Sequence, residues 1–180
     1  MPYMDFSNNF GKKIRLWFDD LPSATLLSNE ATRENRVLSG GLVDIAWKRV
    51  AVEIFQPFGA SFHYGLLGGE YQSTGESNLE VIVPIDTPFP ERRYDDALTG
   101  SLDAVMIGGL PEYANAIYTA LDKLGIEARP SGLLNITCMA HGEVGSAPIV
   151  FDGLARALIR ALCSAGQPTS LEEAMALLVA

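Results

Sequence analysis

A chain of 180 residues is long enough for one domain with its own core and too short for two ordinary ones. Hydrophobic residues make up 48% and charged residues 19%, which excludes wholesale disorder, and 17 Gly with 10 Pro exclude collagen-like and low-complexity chains. Thirteen Lys+Arg against 22 Asp+Glu leave a formal charge of −9, which excludes a generic basic nucleic-acid surface because phosphate neutralisation needs clustered cations.

Residues 1–11 are polar and turn-rich and read as an arm or frayed end. In 13–18, KIRLWF, polar and apolar residues alternate with Ile14, Leu16 and Phe18 on one face, the pattern of a half-buried strand. Gly40-Gly41 marks a turn after a polar run. Residues 50–55 read as a strand ended by Pro57 and Gly59. Residues 61–64 read as its hairpin partner, before a turn at 65–69. The run LEVIVPI, 79–85, has the β-branched composition of a buried strand, and the Pro- and charge-rich stretch 86–96 reads as an exposed loop.

Helical spacing of Ala114, Ile117, Tyr118, Leu121 and Leu124 predicts a helix over 110–124, opened by Pro111 and stopped by a left-handed Gly125. Residues 132–139 form another apolar strand. A second helix is predicted from Pro148 to Cys163, capped by Ser146, with Ile149, Leu154, Leu158, Ile159 and Leu162 buried. Ser170-Leu171-Glu172-Glu173 is a capping box that opens a C-terminal helix over 169–180. Strands first, then helix, strand, helix, argue for an α+β two-layer sandwich, a mostly antiparallel sheet with its two main helices on one face. Residues 1–180 are expected to form one domain.

No stretch approaches the roughly 18 apolar residues of a membrane span, and residues 1–10 lack the basic and apolar regions of a signal peptide. A cytoplasmic location with no membrane partner is expected. Cys138 and Cys163 are too few for a disulfide framework, and both sit among apolar residues as small hydrophobes.

His141-Gly142-Glu143 matches half of a zinc deaminase signature, but the Pro-Cys-x-x-Cys half is missing. Cys138 and His141 on an extended strand point to opposite faces, so no metal site and no cofactor are expected. The glycine turns at 40–41, 108–109 and 142–146 match no nucleotide loop and read as tight turns. The aromatic group Phe55, Phe58, Phe62, Tyr64 and Tyr71 lacks interleaved cations and reads as core or pocket lining. If the chain is an enzyme, the candidate catalytic groups are His63, His141 and Glu143, in a cleft with Tyr64 and Glu70 and a histidine as general base.

From about 71 to 162 the order of signals resembles domain IV of translation elongation factor G, which has the ribosomal protein S5 domain 2-like fold. The resemblance begins at Gln72-Ser73-Thr74-Gly75, continues through LEVIVPI, and includes Gly108-Gly109-Leu110-Pro111-Glu112-Tyr113 at the first helix and GLLNITCMAHG running into HGEVGS. It implies a binding role at the translation machinery, in which the domain contacts the ribosome through its loop tips. The matching tips are 73–78 and 143–146, and Ser73, Thr74, Gly75, Asn78, His141, Gly142, Gly145 and Ser146 are the binding residues expected, along one contact edge. Gly145, Ser146, Ala147 and Pro148 replace the family's histidine, acidic residue and serine, which weighs against translocation itself. GTP hydrolysis is not expected, since no GTPase domain is present. Residues 1–70 are expected to add strands, and an apolar edge among them would pair two copies in a homodimer.

Overall fold

Runs of alternating apolar residues in the first half of the chain become strands, some paired with their sequence neighbours and others with strands far along the chain. The computed structural model describes residues 3–27, 33–85 and 92–179. Eight strands lie among these residues: β1 (Tyr3–Ser7), β2 (Lys13–Phe18), β3 (Arg33–Ser39), β4 (Arg49–Phe58), β5 (Ser61–Gln72), β6 (Asn78–Pro84), β7 (Val105–Ile107) and β8 (Gly132–Gly142). With them stand three α-helices, α1 (Pro111–Lys123), α2 (Pro148–Cys163) and α3 (Leu171–Leu178).

The strands form one sheet in the order β1-β2-β4-β5-β8-β6-β3, with β7 alongside β8. Every pairing is antiparallel except β6 with β8, whose connection runs through α1. The architecture is therefore the expected α+β sandwich, and residues 1–70 supply five strands to the same sheet.

All three helices pack on one face. Val50, Val52 and Ile54 of β4, Leu79, Val81 and Val83 of β6, and Leu134 and Ile136 of β8 meet Ile117, Tyr118 and Leu121 of α1 and Phe151, Leu154 and Leu158 of α2 in one apolar core. Each fully buried side chain of this size contributes about 1.5–3 kcal/mol of transfer free energy. The opposite face has its own smaller core, where Trp17, Ala51, Phe55, Tyr64, Leu66, Cys138 and Ala140 are covered by Ala24 and by Tyr94, Leu98 and Val105. This cover makes β2 buried on both sides: Arg15 and Trp17 are as enclosed as Ile14 and Leu16, so the half-buried expectation fails there.

A β-bulge sets which β8 side chains face which core. Gly68 lies opposite Cys138 and Gly69 opposite Ile136, leaving Thr137 as the extra residue. Before it, Leu134 and Ile136 face the helices. After it, Met139 faces them while Cys138 and Ala140 face away. His141 then falls on the helix side, with its ring 5.4 Å from that of Tyr113 on α1.

Several local expectations are corrected. The expected N-terminal arm contains β1, which pairs along its whole length with β2, and β3 arises in the polar run where no strand was expected. The glycines at 65–69 are not a turn. They lie inside β5, where a Cβ on Gly65 would stand 2.8 Å from Leu154 and one on Gly69 2.8 Å from the Asn135 carbonyl oxygen. Close approach of a helix and of the neighbouring strand requires glycine at both positions.

Gly125 has φ −59°, so α1 ends without a left-handed residue. The α2 N-cap is Ala147 rather than Ser146, and Ile149 is 64% exposed because Val150 and Phe151 take the inward positions instead. Ser170 caps α3 by accepting from the Glu173 N–H at 3.2 Å, while the Glu173 carboxylate turns back to accept from the Thr169 amide and hydroxyl. Residues 86–91 of the loop expected at 86–96 lie outside the described residues; in its remaining part Arg93 bridges to Met106.

Candidate functional site

Strand β8 ends at Gly142, and the turn that follows is built from polar groups that satisfy one another. The Asp103 carboxylate accepts from Val144 N at 3.1 Å and from Gly145 N at 2.8 Å. Ser146 Oγ accepts from Gly142 N at 2.8 Å and donates to the Tyr64 carbonyl at 2.7 Å, and Glu143 N donates to Ala104 O. All four amides from Gly142 to Gly145 are thereby used. The glycines of this turn shape it and cannot cradle an anion, since that needs free N–H groups.

What the turn presents outward is Glu143 and Val144, the latter 73% exposed. His141 lies beneath it, buried, with Nδ1 3.3 Å from the Gly108 carbonyl. Burial holds its imidazole below the ordinary histidine range, so the ring is neutral at pH 7. Tyr113, stacked on Phe151 at 4.2 Å, closes the other side.

The second expected tip, 73–78, joins β5 to β6, with Ser73, Thr74, Gly75 and Asn78 all exposed. Ser73 and Gly75 line a cavity of about 480 Å³ together with Gly40, Gly41, Asp44, Tyr71 and Ser131. Tyr71 donates its hydroxyl to the Ser131 carbonyl at 2.5 Å and so holds the floor of this cavity to the start of β8. The two tips lie at opposite ends of β8, roughly 33 Å apart at about 3.3 Å per residue. They do not form the single contact edge expected.

The expected catalytic candidates His63, His141 and Glu143 make no hydrogen bond or ion pair with one another, although the Glu143 charge reaches His141. The His63 ring on β5 lies tilted 4.5 Å from the Phe58 ring on β4, and Glu143 is exposed on the turn. Tyr64 faces the opposite side of the sheet from His63, with its hydroxyl on the Glu53 carboxylate at 3.0 Å. Glu70 is seven residues further along the same strand, roughly 23 Å from His63. A cleft shared by His63, Tyr64, Glu70 and His141 is therefore not formed.

Sequence reading missed Glu53, which is 0% exposed in the middle of β4. Its Oε1 accepts from Tyr64 Oη and, at 2.8 Å, from Leu98 N; its Oε2 stands 3.4 Å from Arg15 Nη1. Arg15 in turn donates to Asp5 at 2.7 Å and to the Asp96 carbonyl at 2.8 Å, with its guanidinium 4.5 Å over the Tyr3 ring. Burial pushes the Glu53 carboxyl up to about 7, against the opposing pull of the Leu98 amide, Arg15 and Tyr64. The sequence signal was a lone carboxylate amid VAVEIF with a lone arginine amid KIRLWF. The cluster pins the 94–98 segment to the sheet.

Burial likewise pushes both thiols up to about 11, so neither cysteine is a nucleophile at neutral pH. Among the described residues no group of three or more His, Cys, Asp and Glu stands close enough to hold a metal ion, and no helix is long and apolar enough to cross a membrane. The sheet edges β1 and β3 carry Asp5, Ser7, Glu34, Asn35 and Arg36, so neither is the continuous apolar edge on which pairing of two copies would rest. No family model, no curated protein and no solved structure matches this chain.

Proposed function

We propose that the protein is a stand-alone, elongation factor G domain IV-like binding protein without GTPase activity, which contacts the translation machinery through the turn at 142–146. The observation that carries this reading is the turn itself. A rigid, internally satisfied loop at the end of the central strand presents Glu143 and Val144 and spends no polar group on catalysis. The element order from β4 to α2, four strands, a helix, a strand and a helix, with both helices on one face, supports the fold kinship that the sequence motifs suggested.

Neither 100–120 nor 141–155 contains a lysine or arginine, so the tip fits a basic protein surface rather than bare phosphate. Co-sedimentation with ribosomes at low and at moderate salt tests the reading. Pelleting at low salt that weakens with salt and is reduced by Glu143→Lys and by Val144→Asp is expected. Absence of pelleting at low salt removes it.

A further inference from the structure

The loops that cover the second face of the sheet leave part of it open. Cover ends at Leu21, whose side chain lies over Gly68. Two residues further along β5, at Glu70, begins a cavity of about 420 Å³ lined by Lys48, Arg49, Glu70, Tyr71, Gln72, Leu133 and Asn135.

Register makes this a built row rather than a chance gathering. Arg49 on β4 is directly opposite Glu70 on β5, and Glu70 is directly opposite Asn135 on β8. A cation, an anion and an amide therefore stand side by side on three adjacent strands, with Cβ atoms about 5 Å apart at each step. Opposite charges in such positions ordinarily pair across the strands. Here the Arg49 and Glu70 side chains make no ion pair among the described residues, and Asn135 makes no side-chain hydrogen bond. Both charges border the cavity instead, with half-buried Leu133 as its apolar wall.

From this geometry we infer a binding site for a small zwitterion of the α-amino acid class. Its carboxylate meets Arg49, supported by Lys48; its ammonium meets Glu70; its side chain lies toward Leu133 and Asn135. The two ionic groups of an α-amino acid sit one carbon apart, which suits a cation and an anion held on neighbouring strands. A phosphate or simple dicarboxylate would meet Glu70 with like charge, and a simple amine would meet Lys48 and Arg49 in the same way. The inference is independent of the tip reading, since the cavity lies at the other end of β5 from the 142–146 turn.

The test is an amide-resolved NMR titration of the full chain with L-leucine, L-phenylalanine and L-glutamine, each beside its N-acetyl and its carboxamide derivative. Saturable shifts at the Arg49, Glu70 and Asn135 amides are expected from at least one free amino acid. The two derivatives should bind about ten-fold more weakly, each having lost one charge-assisted contact. Glu70→Gln should abolish discrimination against the N-acetyl form, and Arg49→Gln discrimination against the carboxamide. Both side chains are exposed, and an unchanged melting temperature verifies the fold of each variant. No saturable shift from any of the three amino acids, or equal shifts from the free and blocked forms, overturns the inference.

Discussion

The sharpest quantitative consequence of this structure concerns Glu53. In the unfolded chain its carboxyl titrates near 4.5, and in the folded protein burial raises it to about 7. A carboxyl raised on folding favours the native state in its neutral form. Its contribution is complete below pH 4.5 and declines as pH rises, until it is gone above about 7. At about 1.4 kcal/mol per pH unit, this interval amounts to a loss of about 3 kcal/mol between pH 4 and pH 8. Neutral His141, lowered by burial, acts in the opposite sense: its contribution is present above the ordinary histidine range and is lost as pH falls through its folded value. The wild-type profile therefore mixes the two, and a comparison with Glu53→Gln separates them. The glutamine oxygen still accepts from Tyr64 and Leu98 N but carries no charge. Urea unfolding of both proteins at pH 4.5, 6 and 8 should give a stability difference that shifts by about 3 kcal/mol in favour of the variant across the range. A difference that does not change with pH would refute the argument.

Replacing Asp103 with Ala leaves the Val144 and Gly145 amides without their acceptor; hydrogen exchange at both should accelerate strongly, with a global loss of about 1–3 kcal/mol by chemical denaturation. Tyr118→Phe removes a hydroxyl that accepts from Val83 N and donates to Glu34 O, linking α1 to β6 and β3, and should cost about 1–3 kcal/mol in a urea melt. Gly65→Ala drives a methyl group into Leu154 and Val150 and should lower stability by about 1–3 kcal/mol, a loss that Leu154→Ala in the same chain should partly relieve. A disulfide reagent at pH 8 should leave Cys138 unmodified in the native protein and titrate both thiols once urea unfolds it.

Where a segment's fate depended on its own side-chain pattern, the sequence was readable. LEVIVPI, the α1 stripe and the α2 span all follow from periodicity, because a strand or helix with one dominant apolar face can bury it in only one way. The misses share a different cause. Polar RENRVLS becomes β3 because β6 offers a free edge, a tertiary circumstance that composition does not carry. The glycines of β5 looked like a turn because the sequence shows their lack of a side chain, not the helix and strand that fill the space. At the sites, Ser73 and Gly75 do line a cavity, but its partner cavity depends on Arg49, Glu70 and Asn135, which lie 21 and 65 positions apart and meet only through register. His141 and His63, expected in one cleft, take different partners: the first turns to the Gly108 carbonyl and Tyr113, the second to Phe58.

Strand β8 lies between β5 and β6, although it is the last strand in the chain. A polypeptide emerging from its N-terminus can close β1-β2-β4-β5 and β3-β6 as two ribbons, each with a bare edge where β8 belongs. Until residue 142 is free to insert, those edges are open to one another and to neighbouring chains. Vulnerability to aggregation during synthesis is thus set by the order of the strands. It should fall on truncated or stalled products ending before Gly132 rather than on the finished protein.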